Sequence, residues 1–169
     1  QGIPVLALDH KFYESREHFE GQLQSVLDVS KIDIVALAGF MRLMTASFVD
    51  RWRDRMINIH PSLLPAFKGL RTHEQALEAG VKISGCTVHF VRPEMDDGPI
   101  IGQAAVPVLA GDTPETLSTR VLAAEHRLYP RALALVARDQ TRVDGTVVQL
   151  QDAVYAHFNQ EQVLGSPSV

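Results

Sequence analysis

The chain has 169 residues, which is enough for a single domain with a sizeable hydrophobic core. Its hydrophobic fraction of 46% is that of an ordinary globular protein, and its formal net charge of −4, without a Lys or Arg cluster, argues against nucleic-acid binding. A single cysteine, Cys86, excludes an internal disulfide framework. No apolar run approaches a membrane span and no signal peptide pattern is present, so we predict one cytoplasmic domain over residues 1–169.

The first third of the chain predicts alternating strands and helices. In chain order these are a strand at 5–8, a helix at 16–27 capped by Ser15, a strand at 32–37, and a helix at 46–51 capped by Thr45. The first helix follows from apolar residues at three- and four-residue spacing. The strand at 32–37 is mostly apolar, which predicts burial on both faces. The polar stretch 52–55 is predicted to be a solvated turn.

The stretch 58–65, Asn-Ile-His-Pro-Ser-Leu-Leu-Pro, ends a short apolar strand at a proline. Asn58 and His60 are two residues apart on extended chain, so their side chains project to the same face. They lie at the carboxyl end of the strand, where open α/β sheets bind ligands. The alternative is a strand end with a structural histidine and a proline-rich loop.

The rest of the chain continues the α/β pattern. It predicts a helix at 72–79 capped by Thr72, a strand at 85–91, a charged loop at 92–99 with Gly98 left-handed, a strand at 100–107, a helix at 114–139 capped by Thr113 and bent at Pro130, strand-like runs at 143–158, and a frayed tail at 160–169. The strand at 85–91 alternates, with Thr87 and His89 on one face. We therefore predict an open, mostly parallel sheet flanked by helices, with an antiparallel edge.

The candidate chemistry is acid–base chemistry. Seven histidines occur, but none has a metal-ligand spacing, so no metal is predicted. Ser62 lies near His60, but no nucleophile-elbow motif surrounds it. Asp96 is the preferred carboxylate partner, because it lies in a tight Asp-Asp-Gly-Pro turn between two strands, and Asp97 is its rival. Two further histidines and the cysteine are predicted to be structural: His73, His89 and Cys86.

Residues 58–65, together with 95–101, resemble the formyltransferase family that uses 10-formyltetrahydrofolate. Within that family the sequence is most similar to members that formylate phosphoribosylglycinamide in purine biosynthesis. The likeness covers residues 2–145 and includes residues 38–42, 111–113 and 125–130. It implies a Rossmann-like formyltransferase fold and a one-carbon transferase. Its two small-molecule substrates would be 10-formyltetrahydrofolate and phosphoribosylglycinamide, with neither metal nor nucleic acid nor membrane involved.

The resemblance also implies roles for individual residues. Asn58, His60 and Asp96 would be catalytic. The folate-binding set would be Arg16, Met41, Arg42, Leu43, Met44, Val49, Asn58, Val91 and Asp96. Arg16 and Arg42 would face the glutamate tail of the folate, although a plain surface charge is the alternative for Arg42. Pro61 and Glu125 would bind phosphoribosylglycinamide, with Glu125 on its ribose hydroxyls. A cis Leu64–Pro65 bond is also predicted, from the tight turn and from the resemblance.

One departure from the family pattern concerns the start of the chain. Family members begin with a strand, a glycine-rich phosphate-binding loop and a helix, and Gln1 matches a point well inside such proteins. We therefore expect the N-terminal portion to be missing. The alternatives are formyltetrahydrofolate deformylase, which shares the three catalytic residues, and a folate-binding fragment without turnover. The acidic charge and the length argue against a methionyl-tRNA formyltransferase. The sequence leaves it open whether the protein forms a homodimer.

Overall fold

The computed structural model describes residues 2–150 of the chain. Predictions for the runs beyond 150 and for the tail at 160–169 lie outside these residues. A short 3-10 helix precedes ten elements: α1 (Arg16–Val29), β1 (Val35–Leu37), α2 (Ala46–Arg51), β2 (Met56–His60), α3 (Thr72–Glu78), β3 (Ile83–Phe90), β4 (Ile100–Pro107), α4 (Pro114–Ala137), β5 (Thr141–Asp144) and β6 (Val147–Leu150).

The described strands form one mixed sheet in the order β1-β2-β3-β4-β6-β5. The β1–β2 and β4–β6 pairs are parallel, and the other three pairs are antiparallel. The predicted α/β class with a Rossmann-like sheet flanked by helices is confirmed, while antiparallel pairing, predicted only at an edge, reaches the centre of the described sheet. The connection between β3 and β4 explains part of this, because it is too short for the crossover that parallel neighbours require.

Helices cover both faces of the sheet. Adjacent residues of β2 point to opposite faces, so Ile57 and Met56 belong to different cores. Ile57 packs with Val88, Phe90 and the apolar face of α4. Met56 packs with Phe48 and Trp52 of the α2 region and with apolar side chains of α1. Asn58 and His60 therefore lie on the Met56 face, at the open end of the strand.

The N-termini of α1, α2 and α4 agree with the sequence predictions. The side chains of Ser15, Thr45 and Thr113 each accept a hydrogen bond from the backbone N–H three residues later. The cap at Thr113 is reciprocal, because Thr116 also accepts from the backbone of Thr113. Thr72 was predicted to cap α3, but it is the first helical residue; Arg71 is the cap, in the left-handed region, and makes no side-chain cap bond.

Three other local predictions are wrong. Residues 5–8 form no strand and Val5 is 91% exposed, because no neighbouring strand among the described residues supplies hydrogen bonds. The strand predicted at 32–37 begins only at Val35 and is half-buried. Trp52 is buried in the predicted solvated turn, since its indole N–H donates to Gln24 Oε1 at 2.8 Å.

The loop between β3 and β4 reverses the roles of two residues. Asp96, not Gly98, has a positive φ, of 52°. Gly98 is required for a different reason: a Cβ there would lie 1.6 Å from the carbonyl oxygen of Phe90. The Leu64–Pro65 peptide bond is cis, as predicted. Cys86 is buried as predicted, and burial raises the pKa of its thiol to about 12.

Candidate active site

The carboxyl end of β2 presents Asn58 and His60 beside two residues of β3. In the antiparallel register Asn58 lies opposite His89, and His60 lies opposite Thr87. Directly opposed residues share a face of the sheet, so all four side chains lie on the side away from α4. The sheet pairing therefore builds the floor of the candidate site.

Asp96 reaches this floor from the loop after β3. Its Oδ2 lies 3.5 Å from Nδ1 of His60, and both side chains are largely buried. The backbone N–H of Gly69 donates to the same carboxylate oxygen at 2.8 Å. The predicted convergence of Asn58, His60 and Asp96 is therefore observed. The rival carboxylate, Asp97, is exposed and pairs with Lys68.

The ring of His60 is held at both nitrogens. Nε2 lies 3.0 Å from the carbonyl oxygen of Phe67. A carbonyl can only accept a hydrogen bond, so Nε2 carries the proton in this contact. Nδ1 then faces the Asp96 carboxylate. This arrangement fixes the plane of the imidazole and places a carboxylate beside its second nitrogen.

His89 is a site residue that the sequence analysis assigned to structure. Its Nδ1 donates to the carbonyl of Phe90 at 3.0 Å, so in the neutral ring Nε2 is an acceptor. The Asn58 amide nitrogen lies 3.4 Å from that Nε2 and can donate to it. Burial lowers the pKa of His89, which keeps the ring neutral near pH 7. His89 thus orients the amide of Asn58 and leaves its second N–H for a ligand.

A buried hydroxyl positions the turn that follows His60. Thr87 donates to the carbonyl of Ser62 at 2.7 Å and accepts from the N–H of Leu64 at 3.0 Å. Gln103 of β4 donates to both the Thr87 hydroxyl and the Leu64 carbonyl. This network satisfies the polar groups of a buried turn, so Pro61 is held against the sheet.

These residues open into a cavity of about 560 Å³. Eleven of the twelve residues predicted for catalysis or binding line it: Met41, Arg42, Leu43, Met44, Val49, Asn58, His60, Pro61, Val91, Asp96 and Glu125. Arg16 is the exception and lies outside the lining. The volume is in the range of sites for small organic ligands, and Met41, Leu43, Leu70 and Met95 give the mouth exposed apolar surface.

Glu125, from α4, also contributes a carboxyl group to the cavity lining. Burial raises the pKa of its carboxyl group.

Among residues 2–150, no group of three or more His, Cys, Asp or Glu side chains is arranged to hold a metal ion. Within the same residues, no helix combines the length and apolar character needed to cross a membrane. The cavity therefore combines acid–base groups with an apolar entrance.

An amide, an imidazole and a carboxylate meet in this cavity and can together support acid–base chemistry, and sequence comparison identifies the family. The sequence pattern described as "Formyl transferase" matches residues 1–133. The chain belongs to the formyl transferase family.

Relatives and solved structures agree with this assignment. The chain is 56% identical over 136 residues to the human trifunctional purine biosynthetic protein adenosine-3, covering 80% of this chain and 14% of that protein. It is 45% identical over 136 residues to phosphoribosylglycinamide formyltransferase of Escherichia coli, covering 80% of this chain and 64% of that protein.

Its fold matches glycinamide ribonucleotide transformylase 1 from Symbiobacterium toebii with a TM-score of 0.83 and 50% identity, over 86% of this chain and 68% of that one. A formyltetrahydrofolate deformylase from Pseudomonas syringae is a more distant neighbour, with 29% identity and a TM-score of 0.78 over 82% of this chain and 47% of that one.

Proposed function

We propose that this chain transfers the formyl group of 10-formyltetrahydrofolate to the amine of phosphoribosylglycinamide, a step of purine biosynthesis. The observation that carries the proposal is the meeting of Asn58, His60 and Asp96 in one cavity. Family membership, and similarity to proteins named for formyl transfer to phosphoribosylglycinamide, support the choice of substrates.

The first step is attack of the amine nitrogen on the formyl carbon. A nitrogen–carbon bond forms and negative charge develops on the formyl oxygen. The second N–H of Asn58 is free to donate to that oxygen, and His60 becomes a second donor when its Nε2–H exchanges the Phe67 carbonyl for the formyl oxygen. One such donor contributes about 2.7–4 kcal/mol to transition-state stabilisation in comparable sites. His89 contributes indirectly, because it fixes which way the Asn58 amide faces.

The second step breaks the bond between the formyl carbon and N10 of the folate. The attacking amine must lose a proton and N10 must gain one. Asp96 accepts the amine proton, directly or through water, and returns it to the leaving nitrogen. Its contact with Nδ1 of His60 also keeps the imidazole oriented while charge develops nearby. No electrons enter or leave, so the step requires neither an oxidant nor a reductant.

The two substrates occupy different walls of the cavity in this proposal. The folate lies against residues 41–44, Val49 and Val91, whose apolar character suits its ring system. Arg42 and Arg16 bind the glutamate tail of the folate from outside the cavity floor. The Arg42 guanidinium lies 5.8 Å from the ring centroid of Phe19. Pro61 and Glu125 face the acceptor, with the Glu125 carboxylate on its ribose hydroxyls.

Hydrolysis of 10-formyltetrahydrofolate is the second candidate function. This candidate is suggested by the structural similarity to a formyltetrahydrofolate deformylase. In that reaction, water would replace the amine as the attacking group beside Asn58, His60 and Asp96. The higher identity to proteins named for formyl transfer favours the amine as acceptor.

The test measures where the formyl group goes. Labelled 10-formyltetrahydrofolate is incubated with the protein, with and without phosphoribosylglycinamide, and both labelled amide product and free formate are quantified. Because the chain spans 64% of the E. coli relative, the assay is run on this chain and on a chimera that supplies the part of that relative that the chain does not cover.

We expect amide product that depends on phosphoribosylglycinamide, in at least one of the two proteins. Formate release independent of the acceptor would assign the chain to the hydrolases instead. Absence of both products in both proteins would overturn the proposal. A His60→Ala variant of the active protein is the control for background transfer.

A further inference from the structure

The wall assigned to the folate contains an irregular segment, which we call the cavity loop, residues 38–44 between β1 and α2. Its side chains are strongly exposed at two positions, with Met41 at 82% and Leu43 at 55%. Exposed side chains contribute little packing energy to hold a backbone in place. The loop lines the cavity over most of its length, and Met44 packs against the buried Phe48, Trp52 and Met56, so contacts at the two ends of the loop add to what holds its shape.

Tyr129 of α4 holds the first end. Its hydroxyl donates to the carbonyl of Leu37, the last residue of β1, at 2.7 Å. The same hydroxyl lies 3.4 Å from the carbonyl of Ile57 in β2, the parallel neighbour of β1. Burial raises the pKa of Tyr129, so the group is a neutral donor at any physiological pH. The contact spans 92 positions of sequence, so it ties α4 to the start of the cavity loop.

Glu20 of α1 holds the second end. Its side chain is buried, with 5% of the residue exposed. One carboxylate oxygen accepts from the backbone N–H of Thr45 at 2.8 Å, and the other accepts from the Thr45 hydroxyl. Thr45 directly follows the cavity loop and caps α2. A buried carboxylate is costly unless its oxygens are hydrogen-bonded, so this pairing is a specific anchor for the second end of the cavity loop.

We propose that Tyr129 and Glu20 are positioning residues that hold the two ends of the cavity loop in the arrangement that the folate requires. The inference rests on the proposed function, because that function assigns the folate to this wall. A loop that is ordered before binding costs less conformational entropy when the ligand arrives. Loss of an anchor should therefore weaken folate binding and leave the chemistry at Asn58, His60 and Asp96 intact.

The test variants remove single interactions with little change of shape. Tyr129→Phe deletes one hydroxyl, and Tyr13→Phe is its matched control, because the Tyr13 hydroxyl makes no hydrogen bond within residues 2–150. Glu20→Gln replaces one accepting oxygen, and Glu14→Gln, at an exposed position, is its control. Two quantities are measured in each protein: amide hydrogen exchange of the cavity loop without ligand, and the dissociation constant for 5,8-dideazafolate.

We expect each anchor variant to raise both the exchange rate of the cavity loop and the dissociation constant about 3- to 10-fold, the range expected for loss of one hydrogen bond. In the active protein, the KM for the formyl donor should rise by the same factor, while kcat and the KM for the acceptor stay within about twofold, because the trio is untouched. The control variants should match the wild type in every measurement.

Two results would overturn the inference. One is cavity-loop exchange in Tyr129→Phe and Glu20→Gln that equals exchange in the control variants. The other is faster exchange spread evenly over the whole chain, which would indicate a merely structural role. Failure of the wild-type chain to bind the analogue would instead overturn the proposed function, and the exchange measurement would still decide the anchoring.

Discussion

Burial lowers the pKa of two histidines of the site. His89 is buried between strands, and that burial lowers its pKa below the ordinary value of 6.5; His73 is shifted in the same direction by its own burial. Below about pH 6.5 the unfolded chain takes up protons on these rings that the folded chain does not. The free energy of unfolding should therefore fall as pH drops through this range.

His89→Gln should make that decline less steep. Removing one histidine that stays neutral when folded eliminates up to about 1.4 kcal/mol per pH unit of the slope below pH 6.5. Urea unfolding at several pH values between 5 and 8 measures it, with His73→Gln as a parallel variant of the same sign. A slope in His89→Gln equal to that of the wild type would show that His89 is protonated in the folded protein.

The loop between β3 and β4 is the element whose geometry the site depends on most. It carries Asp96, and it can close only because Gly98 has no side chain: an added Cβ would meet the Phe90 carbonyl at 1.6 Å. Gly98→Ala should therefore shift this loop and destabilise the protein by about 1–3 kcal/mol, as overpacking does. Urea unfolding measures the loss of stability. NMR distance measurements between His60 and Asp96 measure the shift of the loop.

Gly21→Ala is the matched control for that change. Gly21 lies inside α1 with no atom within 4 Å of the added Cβ, so the same substitution should stabilise the protein by about 0.5–1 kcal/mol. Opposite signs for the two alanine variants are the expected outcome. A Gly98→Ala protein as stable as the wild type would mean that the loop has room that the structure does not show.

The elements show what sequence can and cannot predict. The caps at Ser15, Thr45 and Thr113 were predictable, because a cap is made by residues three apart in sequence. The strand expected at 5–8 failed, since strand formation depends on a partner elsewhere in the chain. His89 was predicted to be only structural for the same reason: only the register between β2 and β3 places it opposite Asn58.

At the scale of the whole molecule, one sheet end gathers contributions from most of the chain. β2 supplies the amide and imidazole, the loop after β3 supplies Asp96, and α4 supplies Glu125 and Tyr129. The motifs that resemble the family identified the trio before any of these contacts were known. The shape of the cavity and the anchors of its loop required the fold, because each joins residues far apart in sequence.

We propose that Asp96 moves the proton in formyl transfer within this cavity. It is tested by comparing Asp96→Asn with Asp97→Asn, a neighbouring carboxylate that is exposed and pairs with Lys68. Single-turnover formyl transfer and affinity for 5,8-dideazafolate are measured for both variants. The variants are made in whichever protein, the chain or the chimera, transfers the formyl group.

We predict that Asp96→Asn slows transfer by about 100-fold or more, the usual contribution of a general acid–base group, while affinity for the analogue changes less than about threefold. Asp97→Asn should transfer at the wild-type rate. Unchanged transfer in Asp96→Asn, or an equal loss in Asp97→Asn, would contradict the account.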